Sequence, residues 1–349
     1  MRILIASTYV PFVSGGGTMI LDSLVAELRR RGHTAEAIRL PFRSYWPEIQ
    51  SQTAAVRSID LTETSSGKTD LLITIRYPSF AIKHPNKVTW FIHHHRSAYD
   101  LWQTPFGDIP ASPESLAFRE ALSRSDTRFL RESRRIYALS SVVAERLSKF
   151  NGIQADGVLH HPHPRPEMFS PGEPGDYFLY VSRLVPVKRQ SLAIQAIRYT
   201  RSPFRLVVAG AADVKAYDDE LRQLALDLGV SDRVQFTGWV SDEEKARLTA
   251  GAFAALSLPY DEDSYGYTTL EAVLSAKPVI ALQDSGGVLD LVEHGITGLV
   301  CAPSPQALAE AMELLWADRD RARRMGLASL EGLRKKPISW DRVIDGLLG

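Results

Sequence analysis

The chain has 349 residues, 41 Lys and Arg against 41 Asp and Glu, and a single cysteine, Cys301. This length exceeds one ordinary domain and suits two, and one cysteine excludes an internal disulfide framework. No apolar run approaches the ~20 residues that span a bilayer, and a net charge of zero argues against a nucleic-acid partner. We therefore expect a cytoplasmic protein of two domains.

Short apolar runs alternate with segments of helical period along the whole chain, which predicts α/β architecture with mainly parallel sheets. The N-terminal run is too short for a signal peptide and is interpreted as a first strand. The strands predicted in the first half are Ile3–Ala6, Ala35–Ile38, Leu71–Ile75, Val88–His93, Ile136–Leu139 and Gly157–His160. Helices are predicted between them, notably Thr18–Arg31 and Ser141–Phe150.

A glycine-rich loop, Ser14 to Thr18, follows the first strand and opens the first predicted helix. Its spacing is not Gly-x-Gly-x-x-Gly, which argues against an NAD-type site. Glycines let the backbone approach a ligand closely, and the amides behind them can face an anion. A plain strand-to-helix turn would explain the glycines equally well.

Three consecutive histidines, His93 to His95, end the predicted strand Val88–His93 and are followed by Arg96. Successive side chains on a strand point to opposite faces, so the three rings cannot readily converge on one ion. We therefore expect no metal site here. Strand capping and loop packing are the structural alternative to a functional role.

Basic residues are concentrated in the first half. Residues 1–165 carry 21 Lys and Arg against 15 Asp and Glu, a net charge of +6 that the remainder balances. Arg124, Arg128, Arg131 and Arg135 recur at helical spacing, which predicts one basic helix face. A solvated face is the ordinary explanation, and a surface that approaches an anionic acceptor or a membrane is the alternative.

A proline-rich stretch, 161–175, separates the two halves and is expected to be stiff and extended. We place the domain boundary after residue 165 and expect the stretch to act as a hinge between residues 1–165 and 166–336. A short amphipathic segment, 339–348, follows Pro337 and predicts a final helix.

Two cations follow the first strand of the second half. The apolar run Tyr177–Val181 leads through a loop into the predicted helix Gln190–Arg198, with Arg183 and Lys188 on the loop. They therefore lie at the carboxyl end of a strand, where ligands bind in open α/β sheets. Arg offers a planar fork to phosphate oxygens and Lys a mobile point charge.

An acidic loop follows another strand, which ends near Leu258. Asp263 precedes a helix that is expected to start at Gly266, and Glu271 lies roughly 7 Å inside it. The unpaired amides and the dipole of a helix N-terminus bind phosphate. A diphosphate there would bring an attached ribose near Glu271 and the other end of the ligand near Asp263. Capping carboxylates are the common alternative.

These motifs resemble the family 4 retaining glycosyltransferases of the GT-B fold, also known as glycosyl transferases group 1. The family's Glu-x7-Glu signature corresponds to Asp263 and Glu271, and its Gly-x-Pro-Val element to the segment that begins at Ala276. Its Gly-Arg-Leu…Lys element corresponds to 182–188, and its Val-x-Phe-x-Gly element to 234–238. The chain departs by Asp for the first Glu, Tyr for Phe, and Ser and Ala where glycines are usual.

The resemblance implies two Rossmann-like doubly wound domains facing across a cleft. Residues 1–165 would bind the acceptor and 166–336 the nucleotide sugar, and a helix within 337–349 would cross back onto the N-terminal domain. It also implies retaining transfer of a hexose-type sugar with no metal and no cofactor besides the nucleotide-sugar co-substrate. The acceptor would be a glycan or a lipid-linked molecule of a bacterial envelope polysaccharide, lipopolysaccharide or glycolipid pathway, reached in the cytoplasm with peripheral membrane contact.

Site roles follow from the same resemblance. Arg183 and Lys188 would stabilise the leaving diphosphate, Asp263 would orient the sugar, and Glu271 would bind the ribose. His93 would face the cleft from its strand end. The remaining donor contacts are Gly16, Gly17, Arg96, Trp239, Val240, Ser264, Tyr265, Gly266, Tyr267 and Thr268.

Two alternatives remain open at this stage. One is another activity on the same fold, a sugar-nucleotide epimerase or a phosphorylase. An epimerase would consume donor without an acceptor, and a phosphorylase would release sugar phosphate. The other is a non-catalytic nucleotide-sugar-binding subunit.

Overall fold

The computed structural model describes residues 1–12 and 15–349. The chain divides into two compact units, each built on a six-stranded parallel sheet. Unit 1 comprises Met1–Pro164 and Ile338–Gly349, and unit 2 comprises Arg165–Pro337. The first division lies one residue before the boundary that the proline-rich stretch predicted.

Unit 1 alternates strands and helices. Its strands are β1 (Arg2–Tyr9), β2 (Thr34–Pro41), β3 (Glu63–Thr64), β4 (Gly67–Lys68), β5 (Leu71–Thr74), β6 (Lys87–Phe91), β7 (Arg135–Ala138) and β8 (Gly157–Val158). Its first four helices are α1 (Gly16–Arg30), α2 (Ile49–Arg57), α3 (Pro113–Leu130) and α4 (Ser141–Asn151). The sheet order is β2-β1-β5-β6-β7-β8, whereas β3 and β4 form a separate antiparallel pair. Strands added to both sides of β1 make this a doubly wound sheet.

The predicted basic helix face includes Arg124 and Arg128 of α3, but its extension to Arg135 was wrong. Helix α3 ends at Leu130, and Arg135 is the first residue of β7. The chain leaves the helix because the Arg134 N–H donates to the Lys87 carbonyl at the start of β6, which sets the parallel pairing of β6 with β7. The burial of Ile136 in the sheet outweighs the helical spacing of the arginines.

Unit 2 repeats the pattern. Its strands are β9 (Tyr177–Val181), β10 (Arg205–Ala209), β11 (Val234–Gly238), β12 (Ala254–Ser257), β13 (Val279–Leu282) and β14 (Gly298–Cys301). Its helices are α5 (Gln190–Ile197), α6 (Lys215–Asp227), α7 (Asp242–Gly251), α8 (Tyr267–Leu274), α9 (Pro305–Ala317) and α10 (Arg319–Lys335). The sheet order is β11-β10-β9-β12-β13-β14, so the direction of winding reverses between β9 and β12. Ligands of open α/β sheets bind outside the carboxyl ends of the strands at such a point.

The last helix, α11 (Trp340–Leu348), belongs to unit 1. Its apolar face is buried, and Trp340 packs edge-on against Trp90 of β6 with ring centroids 6.3 Å apart. Asp341 forms an ion pair with Arg31, which follows α1. The chain therefore returns to its first unit after completing the second.

The end of the proline-rich stretch is docked on unit 2. Lys277 donates a hydrogen bond from Nζ to the Gly172 carbonyl at 2.7 Å, and the Gly175 N–H donates to the Gly251 carbonyl at 2.9 Å. A β-carbon on Gly172 would lie 2.8 Å from the carbonyl oxygen of Ala250, so only glycine fits there. The hinge prediction for the whole of 161–175 therefore does not extend to residues 172–175.

Over residues 1–12 and 15–349, no helix has the combined length and apolar character needed to cross a bilayer.

Candidate functional site

The loops at the carboxyl ends of the unit 2 strands are bonded to one another. The Tyr260 N–H donates to the Val187 carbonyl at 2.9 Å, which joins the loop after β12 to the loop after β9. The Asp261 N–H donates to the Asp284 carbonyl at 2.7 Å, which joins it to the loop after β13. The point of reversal between β9 and β12 is thus lined by a connected set of loops.

Lys188 and Glu262 form an ion pair across this point. Lys188 ends a short 3-10 turn after β9, and Glu262 lies on the acidic loop after β12. Their side chains are 23% and 20% exposed. The sequence prediction singled out the neighbouring Asp263 and missed Glu262, because a run of three acids does not reveal which one faces a given lysine.

Arg189 is the second functional candidate that the sequence did not reveal. It is 8% exposed and its φ is 56°, in the left-handed region. Its guanidinium binds both carboxylate oxygens of Asp284, at 2.8 and 2.9 Å, and donates at 2.7 Å to each of the carbonyls of Leu258 and Pro259. One side chain therefore joins the loops that follow β9, β12 and β13.

Two glycines after β13 let that loop approach the acidic loop. The Gly287 N–H donates to the Glu262 carbonyl at 2.8 Å. A β-carbon on Gly286, whose φ is 63°, would lie 2.4 Å from the same carbonyl oxygen, and one on Gly287 would lie 2.8 Å from the backbone of Ser264. The position of the Glu262 backbone is therefore set by close packing.

Helix α8 begins at the end of this acidic loop. Gly266 caps it with a φ of 72°, and its N–H donates to Oγ of Ser264 at 3.2 Å. The first turn, which starts with Tyr267 and Thr268, contains no acidic side chain. The first amides of a helix lack partners within it, so this end suits an anion.

Tyr265 is fully buried, and burial raises the pKa of its hydroxyl well above the usual value. Its side chain therefore belongs to the core, like the Phe that the family signature carries there. Any contact with a donor is restricted to its main chain.

The two carboxylates of the predicted signature are both buried. Asp263 is 7% exposed and Glu271 1% exposed. Lys245 of α7 binds Oε1 of Glu271 at 2.6 Å and also contacts Asp242 at 3.4 Å. Burial, with the nearby charge of Glu271 as a smaller contribution, raises the pKa of the Tyr267 hydroxyl. Lys245 was missed because it lies in a charged helical segment that looks solvated.

Arg183 lies on the surface, and its guanidinium binds Asp213 at 2.8 Å with the side chain 56% exposed. The unusual Ser182 beside it accepts a hydrogen bond on its hydroxyl from Gln190 at 2.8 Å. A β-carbon on Gly210 would lie 1.8 Å from the Ser182 carbonyl oxygen, so the loop after β10 also packs closely here.

The indole of Trp239 is 77% exposed, although a buried Trp is the usual case. It follows Gly238, whose φ is 71°. The next residue, Val240, is half-buried and packs against the cluster of Leu179, Val207, Ala209 and Ala252. The structure thus presents an uncovered aromatic surface where the sequence predicted contact with the base.

The other departure from the signature, Ala276, has a φ of 51°. L-residues with a β-carbon are disfavoured in this region, so glycine would fit this position with less strain than Ala276.

In unit 1, the glycine loop lies against Arg76. Gly16 begins α1 and Gly15 caps it, while Ser14 lies outside the described residues. A β-carbon on Gly17 would lie 2.8 Å from Cδ of Arg76, which donates from its guanidinium to the Thr8 carbonyl at 3.3 Å. Nothing in the sequence pattern predicted that Arg76 would lie beside the glycine loop.

The three histidines take different partners. His93 donates from Nδ1 to the His94 carbonyl at 2.6 Å, because a carbonyl can only accept. His94 contacts Asn151 at 2.7 Å, and His95 contacts Ser44 at 3.2 Å. Burial lowers the pKa of His95 to about 4. In the described part of the chain no three His, Cys, Asp or Glu side chains are grouped as metal ligands.

Arg96 forms an ion pair with Asp100 at 2.7 Å. The Asp100 carboxylate is also 3.5 Å from the guanidinium of Arg146. Arg96 thus helps to hold the loop that follows β6.

The profile of the family described as Glycosyl transferases group 1 matches residues 167–330, nearly all of unit 2. The D-inositol 3-phosphate glycosyltransferase of Nocardia farcinica is 32% identical over 187 residues, 51% of this chain and 40% of that protein. The GDP-mannose-dependent alpha-(1-6)-phosphatidylinositol monomannoside mannosyltransferase of Mycobacterium tuberculosis is 37% identical over 173 residues, 47% of this chain and 44% of that protein. The chain thus spans less than half the length of these two curated relatives.

Solved structures share the fold over nearly the whole chain. HepE of Anabaena, in complex with UDP, superposes with a TM-score of 0.73 at 18% identity and covers 99% of both chains. The sucrose-phosphate synthase of Thermosynechococcus elongatus has a TM-score of 0.78 at 19% identity, over 98% of this chain and 96% of that one. At such identities the likeness shows the fold alone. The chain has the α/β GT-B fold, which confirms the predicted fold class.

Proposed function

We propose, from the match of residues 167–330 to the family described as Glycosyl transferases group 1, that this protein transfers a hexose-type sugar from a nucleoside diphosphate sugar to an acceptor hydroxyl. The ion pair of Lys188 with Glu262, at the reversal of the unit 2 sheet and on the loop that leads into α8, carries the proposal. A cation beside a helix N-terminus in such a crevice suits a diphosphate. Unit 2 would bind the nucleotide sugar and unit 1 the acceptor.

The chemistry requires stabilisation of the negative charge that grows on the departing diphosphate. Lys188, Arg183 and the main-chain amides at the start of α8 would supply it electrostatically. Both cations now bind carboxylates, those of Glu262 and Asp213. Donor binding would replace those carboxylates with phosphate oxygens.

Glu271 would hold the ribose hydroxyls, with Lys245 fixing the orientation of its carboxylate through the 2.6 Å contact. Asp263 would bind sugar hydroxyls and orient the donor. A glycosidase-like pair of nucleophile and acid needs two carboxylates at the reacting carbon, and Glu271 would be engaged elsewhere. We therefore propose retention by front-face substitution, assisted by the leaving phosphate, without an enzyme nucleophile or a metal.

The acceptor would be a glycan or a lipid-linked molecule in bacterial envelope biosynthesis, met by a cytoplasmic enzyme at the inner face of the membrane. One relative at 37% identity is named for a phosphatidylinositol monomannoside, which supports a lipid-linked acceptor. His93 and Arg96 of unit 1 are proposed to contact the donor or the acceptor.

Thermal-shift measurements with UDP, GDP and ADP and their sugars test the proposal. A ligand at 100 times its Kd should stabilise the protein by ~2.7 kcal/mol. Lys188→Ala should lose the shift and slow transfer by at least about 100-fold. Lys215→Ala, which alters an exposed lysine paired with Asp219 on α6, should behave like the wild type. Absence of a shift with every nucleotide, or wild-type transfer by Lys188→Ala, would refute the proposal.

A further inference from the structure

Glu262 forms an ion pair with the ammonium group of Lys188, the same group that the proposed function assigns to the donor phosphate. The pair joins the two loops that flank the reversal of the sheet, and Glu262 compensates the charge of Lys188. A ligand that needs this ammonium must compete with a carboxylate from the same chain.

The backbone of Glu262 is held from two sides. Its carbonyl accepts from Gly287 at 2.8 Å and its N–H donates to the Ser285 carbonyl at 3.3 Å. The close approach of Gly286 leaves no room for the loop to shift towards it. Lys188 and Glu262 must therefore separate by rotation of their side chains, while the backbone of the loop stays in place.

Lys188 is held in a comparable way. Its own carbonyl accepts from the Tyr180 hydroxyl, and the adjacent Val187 carbonyl accepts from Tyr260. The two charged side chains are thus presented to each other by fixed backbones. An intramolecular partner at this distance competes with an effective concentration of millimolar order or higher.

We propose, on the basis of the proposed function, that Glu262 is an intramolecular competitor for Lys188, which lowers the affinity of the site for any ligand whose phosphate takes the ammonium group. A neutral or weakly charged group cannot replace a carboxylate on a lysine, since it offers less charge than the group it displaces. A diphosphate brings a larger charge and more oxygens, which the α8 amides can bind at the same time. A free sugar, which does not take the ammonium group, binds without this competition.

Replacement of Glu262 by Gln keeps the shape of the side chain and removes the competing charge. Glu262→Gln should raise the affinity for UDP and GDP about 10-fold, and the affinity for UMP and GMP by no more than that factor. The ratio of diphosphate to monophosphate affinity should therefore stay constant or rise. A residue that served only to hold the loop would instead weaken binding of both and lower the Tm.

The matched control is Asp176→Asn, which removes one negative charge of unit 2 from an exposed ion pair between Asp176, just before β9, and Arg205 at the start of β10. Calorimetric titrations of the full chain with the four nucleotides, and the Tm of each protein, are the measurements. The control should leave both affinities and their ratio unchanged. If the wild type binds the nucleotides, the inference is overturned by either of two results. One is that Glu262→Gln binds UDP and GDP no more tightly than the wild type, and the other is that Asp176→Asn shows the same gain in affinity. If neither the wild type nor Glu262→Gln bound any nucleotide, the proposed function itself would be wrong.

Discussion

Arg189 is expected to be the principal side chain that holds the candidate site together. Its guanidinium makes four hydrogen bonds of 2.7 to 2.9 Å with the side chain only 8% exposed. Replacement by Met leaves the carbonyls of Leu258 and Pro259 and the Asp284 carboxylate without this donor. Removal of one partner of a buried ion pair costs about 3–5 kcal/mol.

The Asp284 side chain is 33% exposed, so water recovers part of this loss. We therefore expect Arg189→Met to lower the free energy of unfolding of unit 2 by about 3 kcal/mol, at the low end of that range. For a unit of this size, each 1 kcal/mol corresponds to roughly 2–4 °C. The Tm of the unit 2 transition should fall by about 6–12 °C.

Arg205→Met is the control, because its ion pair with Asp176 has a similar distance of 2.8 Å but side chains that are 45% and 57% exposed. Such a surface pair contributes about 0–1 kcal/mol. Thermal unfolding followed by circular dichroism, with calorimetry to separate the two units, compares the variants. A loss below about 1 kcal/mol in Arg189→Met, or equal losses in both, would show that solvation outweighs the buried hydrogen bonds.

Three further outcomes are expected. Gly286→Ala should destabilise unit 2 by at least about 2 kcal/mol more than Gly229→Ala. Both glycines have positive φ, but only a β-carbon at position 286 would clash with its surroundings. Equal losses of Tm in the two variants would contradict this expectation. Burial raises the pKa of Asp126 to about 7, so the folded protein keeps a proton that the unfolded chain loses, and stability falls as pH rises from about 4 to 7. Asp126→Asn should therefore gain stability relative to the wild type between pH 4 and pH 8 in thermal unfolding, and a constant difference would argue against it. Trp239→Ala should weaken nucleotide binding by at least about 5-fold if its exposed indole stacks on the base, and unchanged calorimetric affinity would remove that role.

The sequence by itself determined the α/β architecture and the approximate position of nearly every strand that it predicted. The reason is local, since apolar runs such as Leu71–Thr74 and Val279–Leu282 are buried on both faces of a parallel sheet and must be continuous. It also placed Lys188 on the loop after a strand and Glu271 within the helix after the acidic loop, because alternation of strands and helices alone specifies which loops share an edge.

Tertiary structure alone decided which charges meet. Glu262 binds Lys188, Lys245 reaches Glu271 from a different helix, and Arg189 joins three loops. These partners are 74, 26 and up to 95 residues apart. Side-chain partners at such separations depend on strand order and on backbone approach at glycines such as Gly286, neither of which has a local period in the sequence.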